Sequence, residues 1–536
     1  MQLSLRTLLA ASALALCLCT ADATPYLLSG TAADGQPYSG RGELTPQGHD
    51  LQILRSTSRG VLRGRLRWKD GVWVGQLLAR AGARGALEGF AHERVEATLH
   101  PTPEGYRLEW RDPAGRSGQE LWRGALPTPT GLSPLALDVY AHALAAADRG
   151  AVPAELLTSG GNHVSPRVLE TGPQIFAAAA DLIAGAEREV LIQTYFWKTP
   201  CQAGDLIFAG LKRLEQARRE AGAEAPVDVF VAVNKHWTTR SNVKNLERDV
   251  AAAAFDPRYL RVHTAGFKQR IYGNLHSKAF VVDGARALVT SANVHAAQDA
   301  PNPWYECGYL LEGPVGSSLR AEFADLWQRA TQGPLPAPAP PLHPGFRDGV
   351  PVAVVTRLAA GSPFSNKIDD PAAQSYVSAF RGAKRWIRIL TPHLNDEVLR
   401  RELVEAARRG VSIQVVVSKG KGRLRVSLPF QGGTNARAFK RLREALRDEP
   451  AALARLDLRW FSTDGVTPIE GDGVGVNHAK YVTVDGELAI VGSSNHDAEA
   501  INHSRELNVA VADPETVAAW DAQIFEPAFA RAIPAE

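Results

Sequence analysis

The chain has 536 residues, 45% of them hydrophobic and 22% charged, which excludes a disordered or fibrous protein and leaves room for two or three domains. Its formal net charge of +3 accommodates an anionic substrate but lacks the heavy basic bias of a non-specific DNA binder.

The N-terminus reads as an export signal. Arg6 precedes an apolar run from Leu8 to Leu18, and Ala21-Asp22-Ala23 offers a small-x-small cleavage site. Residues 1–23 are therefore expected to be removed, leaving a periplasmic or secreted protein, peripheral where it meets a membrane. The run is shorter than the roughly 20 residues a spanning helix needs, and no later stretch is long and apolar enough to span a bilayer. Cys17 and Cys19 fall in this leader. Cys201 and Cys307 remain, either as one disulfide of an exported protein or as two buried thiols.

From 24 to 130, short alternating segments between Gly-rich turns predict a small antiparallel β domain. Arg63, Arg65, Arg67 and Lys69 at spacing two share one strand face, either an anion-binding patch or the solvated face of an edge strand. From 135 the texture becomes α/β. The segments "REVLIQTYFW" and "VDVFVAVNKH" read as buried strands with the helix "AGDLIFAGLKRLEQARREA" between them. Tyr195 and Trp197 end the first strand, where they line a pocket or pack in the core. A Pro-rich linker at 333–348 separates this half (135–332) from a second (349–536). There the order recurs: strand "RWIRILTP", helix "LRRELVEAARR", strand "VSIQVVVSK". The basic run Ser418 to Arg425 is a phosphate-gripping rim or a solvated loop.

The repeat is sharpest at two segments, "NLHSKAFVVDGARALVTSANVH" and "VNHAKYVTVDGELAIVGSSNHD". His276, Lys278, Asp283, Ser291 and Asn293 align without a gap on His478, Lys480, Asp485, Ser493 and Asn495. In each copy a strand runs into Asp-Gly, a strong hairpin signal. A two-residue turn on Asp283-Gly284 sets His276 opposite Ser291, and one on Asp485-Gly486 sets His478 opposite Ser493. His, Lys, Ser and Asn then share one polar face in each half. Asp283 and Asp485 begin the turns off that face and read as hairpin-fixing residues more than reactive groups.

These paired His-x-Lys-x4-Asp motifs, with Gly/Ser-x-Asn and a downstream Glu, resemble the phospholipase D superfamily over roughly residues 170–530. "VGSSN" followed by "SRELNVAV" is similar to its cardiolipin-synthase and bacterial-phospholipase branch. The resemblance implies two pseudo-symmetric αβα sandwich halves around one shared active site. It also implies cleavage of a phosphodiester through a phosphohistidine, with a phospholipid at a membrane surface as substrate and water or an alcohol as acceptor. Lys278, Lys480, Ser291, Ser493, Asn293 and Asn495 are then expected to bind the substrate phosphate, while Glu306 and Glu506 orient a histidine. The catalytic set it implies comprises His276, Lys278, Asp283, Asn293, Glu306, His478, Lys480, Asp485, Asn495 and Glu506. Alternatives are a nuclease of the same superfamily and a non-catalytic envelope lipid-binding scaffold. No cofactor is expected. His295, His496 and His503 lack compact ligand spacing, so no metal is expected either. The protein is expected to act as a monomer without obligatory nucleic acid.

Overall fold

A computed structural model describes residues 24–535 apart from 32–36, 48–49, 58–59, 70–71, 80–93, 103–104, 112, 114, 116, 125–128, 130, 237–238, 270–272, 338–339, 341–342, 361, 363–368 and 421–430. The expected leader and residues 421–425 of the basic run lie outside the described residues. The chain divides into two compact units, Met1–Pro127 with Leu144–Ala146, and Thr128–Ala143 with Ala147–Glu536.

In the first unit, strands β1 (Thr24–Thr31), β2 (Pro37–Gln47), β3 (Asp50–Thr57), β4 (Gly60–Lys69), β5 (Val72–Ala79), β6 (Arg94–Thr102), β7 (Gly105–Arg111) and β8 (Ser117–Gly124) form a closed barrel. Successive strands pair antiparallel, and β1 closes on β8. Alternation sends Leu28, Ile53, Leu66, Leu77, Leu99, Leu108 and Trp122 inward. Gly42 lies under Trp122, where a Cβ would come within 2.2 Å of the ring. Arg63, Arg65, Arg67 and Lys69 are exposed on β4. That strand pairs on both sides, with β3 and β5, so it is not an edge strand, one of the two readings of its basic face.

The second unit is built on one sixteen-stranded mixed sheet. Its first-half strands are β9 (Thr158–Val164), β10 (Glu189–Thr194), β11 (Val227–Asn234), β12 (Leu260–Phe267), β13 (Ala279–Val282), β14 (Arg286–Thr290) and β15 (Tyr305–Glu312). Then come β16 (Val350–Arg357), β17 (Trp386–Thr391), β18 (Ser412–Val417), β19 (Leu456–Trp460), β20 (Tyr481–Val484), β21 (Leu488–Gly492), β22 (Glu506–Val511) and β23 (Ile533–Pro534). The order is β12-β11-β10-β13-β14-β15-β9-β16-β22-β21-β20-β17-β18-β19-β23, with Leu169–Thr171 paired to β15. Inward from β12 and from β19 the pattern is the same: three parallel strands, then three joined antiparallel. The parallel strands are near-continuous apolar runs such as "VDVFVAVN", as burial on both faces requires.

Both motif hairpins carry a three-residue turn rather than the expected two. Val282 pairs Arg286 and Ala279 pairs Val289, while Val484 pairs Leu488 and Tyr481 pairs Val491. His276 is therefore not opposite Ser291, nor His478 opposite Ser493. The aspartates cause the change. Asp283 and Asp485 both sit at φ 55°, a left-handed conformation that Asp tolerates. From there the Asp283 carboxylate accepts the backbone N–H groups of Glu187, Arg188 and Glu189, at 2.8–3.1 Å for the shortest contacts. Asp485 does the same for Lys384, Arg385 and Trp386, at 2.7–2.9 Å. Each turn is thus pinned to the strand entry beside it.

The two halves interlock at two parallel bridges, Leu275 with Arg505 and Tyr305 with Asn477. The Arg505 side chain, 1% exposed, reaches into the first half. Its Nε donates to Glu322 Oε1 at 2.8 Å and its Nη1 to Asp325 Oδ2 at 2.6 Å, both on the helix Val315–Thr331. Glu322 also accepts from Gln193 Nε2 (2.5 Å), whose Oε1 accepts from Ser277, between the motif His and Lys. Replacing Arg505 by Met leaves the buried Glu322 carboxylate without its counter-charge, whereas Asp325 keeps Arg329. Equilibrium unfolding in denaturant is expected to show a loss of about 3–5 kcal/mol.

Cys201 and Cys307 are separate free thiols, both buried, so the disulfide option falls away. Burial pushes the Cys201 thiol up to about 11 and the Cys307 thiol up to about 12. Both are expected to resist alkylation in the native protein and to react on unfolding, as read by peptide mass spectrometry; native labelling of either would contradict this packing.

Candidate active site

Each motif histidine precedes the first strand of its hairpin and is placed by the opposite half. The His276 N–H donates to the Arg505 carbonyl at 2.9 Å, and the His478 N–H to the Tyr305 carbonyl at 2.7 Å. Each is therefore one residue away in space from the other half's glutamate. The side chains pair accordingly, and the pairing is crossed. His276 Nδ1 lies 2.9 and 3.1 Å from the oxygens of Glu506, and His478 Nδ1 lies 2.8 and 3.0 Å from those of Glu306. A neutral imidazole that donates Nδ1–H to a carboxylate keeps its lone pair on Nε2. Glu306 and Glu506, expected to orient a histidine, each stand against the Nδ1 of the opposite half's histidine.

Both imidazoles line one cavity of about 310 Å³, with Asn293, Asn495 and Glu506. Tyr195 stands 5.6 Å from the His276 ring and Trp304 5.2 Å from that of His478. Trp304 is fixed by donating to the Gly473 carbonyl at 2.9 Å. Of the two aromatic residues singled out in the sequence, Tyr195 lines the cavity, whereas Trp197 is core, 1% exposed and bonded to Asp249.

Ser291 and Ser493, expected on the substrate phosphate, stand behind the glutamates instead. The Ser291 backbone bonds to Cys307, beside Glu306, so its hydroxyl meets that carboxylate at 2.5 Å. Ser493 does the same with Glu506 at 2.5 Å. Lys278 and Lys480 are 1% exposed and do not line the cavity; each Nζ is held by the carbonyl of its own histidine, at 2.6 Å for Lys480. Burial pushes Lys278 down to about 7 and Lys480 down to about 8. It pushes Glu506 up to about 8, with the Lys278 charge pulling the other way. One cause underlies all three shifts: a dry site disfavours charge, and each neighbour of opposite sign restores it. Asp283 and Asp485 lie at the turns, five residues and about 16 Å of strand beyond the lysines, and are not cavity residues. They fix hairpins, as their place at the turn predicts.

The histidines outside the motifs are dispersed. His496 is buried against Tyr376 at 5.0 Å, its pKa pushed down to about 3, and His295 packs between Phe196 and Trp304. Among the described residues no group of three or more His, Cys, Asp and Glu could hold a metal ion, and no helix is long and apolar enough to cross a membrane. The sequence reading missed Trp304, His393 and the carboxylates Asp472, Asp497 and Glu499, all of which line the cavity. Only Trp304, in "WYE" just before Glu306, carried a local signal.

A family model described as cardiolipin synthase, PLD-like domain matches residues 376–527. A probable cardiolipin synthase of Bacillus subtilis (strain 168) is 22% identical over 368 residues, covering 67% of this chain and 65% of that protein. Cardiolipin synthase A of Pseudomonas entomophila (strain L48) is 25% identical over 356 residues, covering 65% of each. The matched region thus spans 65% of the length of these curated relatives. Among solved structures, phosphatidylserine synthase of Haemophilus influenzae Rd KW20 matches with a TM-score of 0.48 and 15% identity, over 70% of this chain and 87% of that one. The match to the cardiolipin synthase, PLD-like domain model and the likeness to cardiolipin synthases thus fall on a chain whose duplicated motif is completed by crossed glutamates around one cavity.

Proposed function

We propose that the protein is an exported phosphatidyl-transferring phosphodiesterase acting on phospholipids at a membrane surface, with two pseudo-symmetric halves serving one catalytic cycle. The observation that carries this reading is the crossed His–Glu pairing, through Nδ1, of two imidazoles that line one cavity. His276 Nε2 attacks phosphorus, forming the P–N bond as the P–O bond to the headgroup alcohol breaks. The departing oxygen takes the Nε2 proton of His478, whose positive charge is balanced by Glu306. In the second half-reaction water or another alcohol gives its proton to His478 as its oxygen bonds phosphorus and the P–N bond breaks. Lys278 and Lys480 supply positive charge behind the phosphoryl oxygens, and Asn293 contributes its amide N–H groups.

The lining also favours one isolated phosphodiester over a polyanionic strand. No Lys or Arg is among the described residues lining the cavity, whereas Asp472, Asp497 and Glu499 are. The cardiolipin synthases to which the chain is similar fit a lipid substrate.

Phospholipid vesicles with excess EDTA test the reading, with plasmid DNA in parallel. Headgroup release is expected to persist in EDTA and to fall about a thousandfold or more in His276→Ala and in His478→Ala. Nicking without headgroup release would transfer the chemistry to nucleic acid, and a near-wild-type rate in either variant would end the two-histidine mechanism.

The lysines set the pH dependence. Their folded pKa values are lowered, so they are charged below about 7 (Lys278) and about 8 (Lys480) and neutral above. The kcat/KM profile, which reports the free enzyme, is expected to fall as pH rises through 7 to 8. A bound phosphate anion restores their charge, so the fall in kcat should lie at higher pH. A kcat/KM flat to pH 9 would remove the lysines from charge stabilisation.

A further inference from the structure

The two motif asparagines present opposite chemistry to the cavity. Asn293 Oδ1 accepts from the Phe196 backbone N–H at 3.4 Å, which leaves its amide N–H groups for an anion. Asn495 is reversed. Its Nδ2 donates to Asp497 Oδ2 at 3.1 Å, and flipping the amide would set oxygen against carboxylate, so the orientation is fixed. The Asn495 Oδ1, in a residue 6% exposed, has no hydrogen-bond partner. A desolvated acceptor in this position calls for a donor from a ligand.

The surroundings extend the contrast. First-half side chains give the cavity its aromatic surface, Tyr195, Phe196 and Trp304. The second half adds acceptors to the lining: Asp497, bonded to Asn495, Asp472, and Glu499, whose Oε1 accepts from the first-half Asn274 at 2.7 Å. Even where the backbone repeats, the chemistry diverges. Thr194 Oγ1 donates to the Phe196 carbonyl (3.3 Å) and Thr391 Oγ1 to the His393 carbonyl (3.1 Å), so His393 holds the position that Phe196 holds opposite. A wall of acceptors, next to an aromatic face and lacking Lys and Arg among its described residues, best suits a ligand that only donates. A primary ammonium has three donors and no acceptor, whereas each hydroxyl of a polyol also brings an acceptor that finds oxygen opposite. Trp304, tilted over His478, adds a face for a cation.

We infer that the second-half wall, centred on Asn495 Oδ1, Glu499 and Asp472, is the subsite for a headgroup alcohol bearing a primary ammonium, so that an aminoalcohol phospholipid is the preferred phosphatidyl donor. The inference rests on the phosphodiesterase reading and deepens it. The ethanolamine oxygen then lies beside His478, which protonates it as the P–O bond breaks, and the ammonium occupies the acceptor wall.

The test uses the full chain with vesicles holding equal amounts of phosphatidylethanolamine and phosphatidylglycerol, in EDTA, scoring both released headgroups. Ethanolamine release is expected to exceed glycerol release by about tenfold, the scale of one or two charge-assisted hydrogen bonds. Glu499→Gln and Asp472→Asn should each bring that ratio towards one, a change that a general loss of folded enzyme would not produce. Replacing the ethanolamine lipid by phosphatidylcholine, which keeps the charge but has no N–H, should also lower release. Equal release of both headgroups, a preference for glycerol, or variants that keep the wild-type ratio would each overturn the inference while leaving the phosphodiesterase reading intact. Release from neither lipid would remove that reading and this inference with it.

Discussion

Two backbone hydrogen bonds, from His276 to Arg505 and from His478 to Tyr305, govern the site. Each ties the segment bearing one half's imidazole to the residue preceding the other half's glutamate. Because Nδ1 must lie within hydrogen-bond reach of the carboxylate, a sliding of the halves by one residue, about 3.3 Å along a strand, would break both His–Glu pairs together. Neither half can assemble a working dyad alone. The continuous sheet and the buried Arg505–Glu322–Gln193–Ser277 chain make sense as the means of denying that sliding. The interlock is also costly to disturb, since it keeps charges in a place water does not reach.

The same dryness explains why the lysines and glutamates have to be paired in space. A lone buried ammonium would lose its proton, and a lone buried carboxylate would gain one. Here Lys278 and Lys480 are each stabilised by Glu306 and Glu506. The glutamates thus serve two purposes: they fix the histidine tautomers, and they keep the lysines close to the charged state that a phosphate needs. Ser291 and Ser493, which hydrogen-bond the carboxylates, belong to this electrostatic support.

Much of this was legible in the sequence, because period-two apolar runs, Asp-Gly turns and the repeated motif are local signals. The strands around "REVLIQTYFW" and "RWIRILTP", the helices after them and the hairpins all fall where their patterns put them. What failed depended on distant partners. The hairpin register moved by one because Asp283 and Asp485 are drawn to backbone N–H groups about a hundred residues earlier, which no local turn rule encodes. The serines left the substrate face with that register. The β4 cations have no edge because β3 and β5 pair with that strand on both sides, which its own alternation does not announce. His393 escaped notice for a related reason: its importance lies in standing where the other half has Phe196, and that equivalence is visible only through the matching Thr hydroxyl bonds.

On the proposed reading, duplication gives a reaction with two chemically similar half-steps a pair of similar histidines, but it does not supply an orientation for the substrate. A strictly two-fold cavity would accept a phosphodiester in either direction, and both histidines would compete to attack. The departures from the repeat resolve this. Phe196 against His393, and Asn293 against the reversed Asn495, make one side of the phosphorus suited to an anion beside an aromatic surface and the other to a hydrogen-bond donor. On the proposed reading, an alcohol confined to the donor-seeking side, next to His478, leaves His276 as the attacking group by in-line geometry. The chemistry that the repeat makes possible is therefore given its direction by the few positions at which the repeat fails.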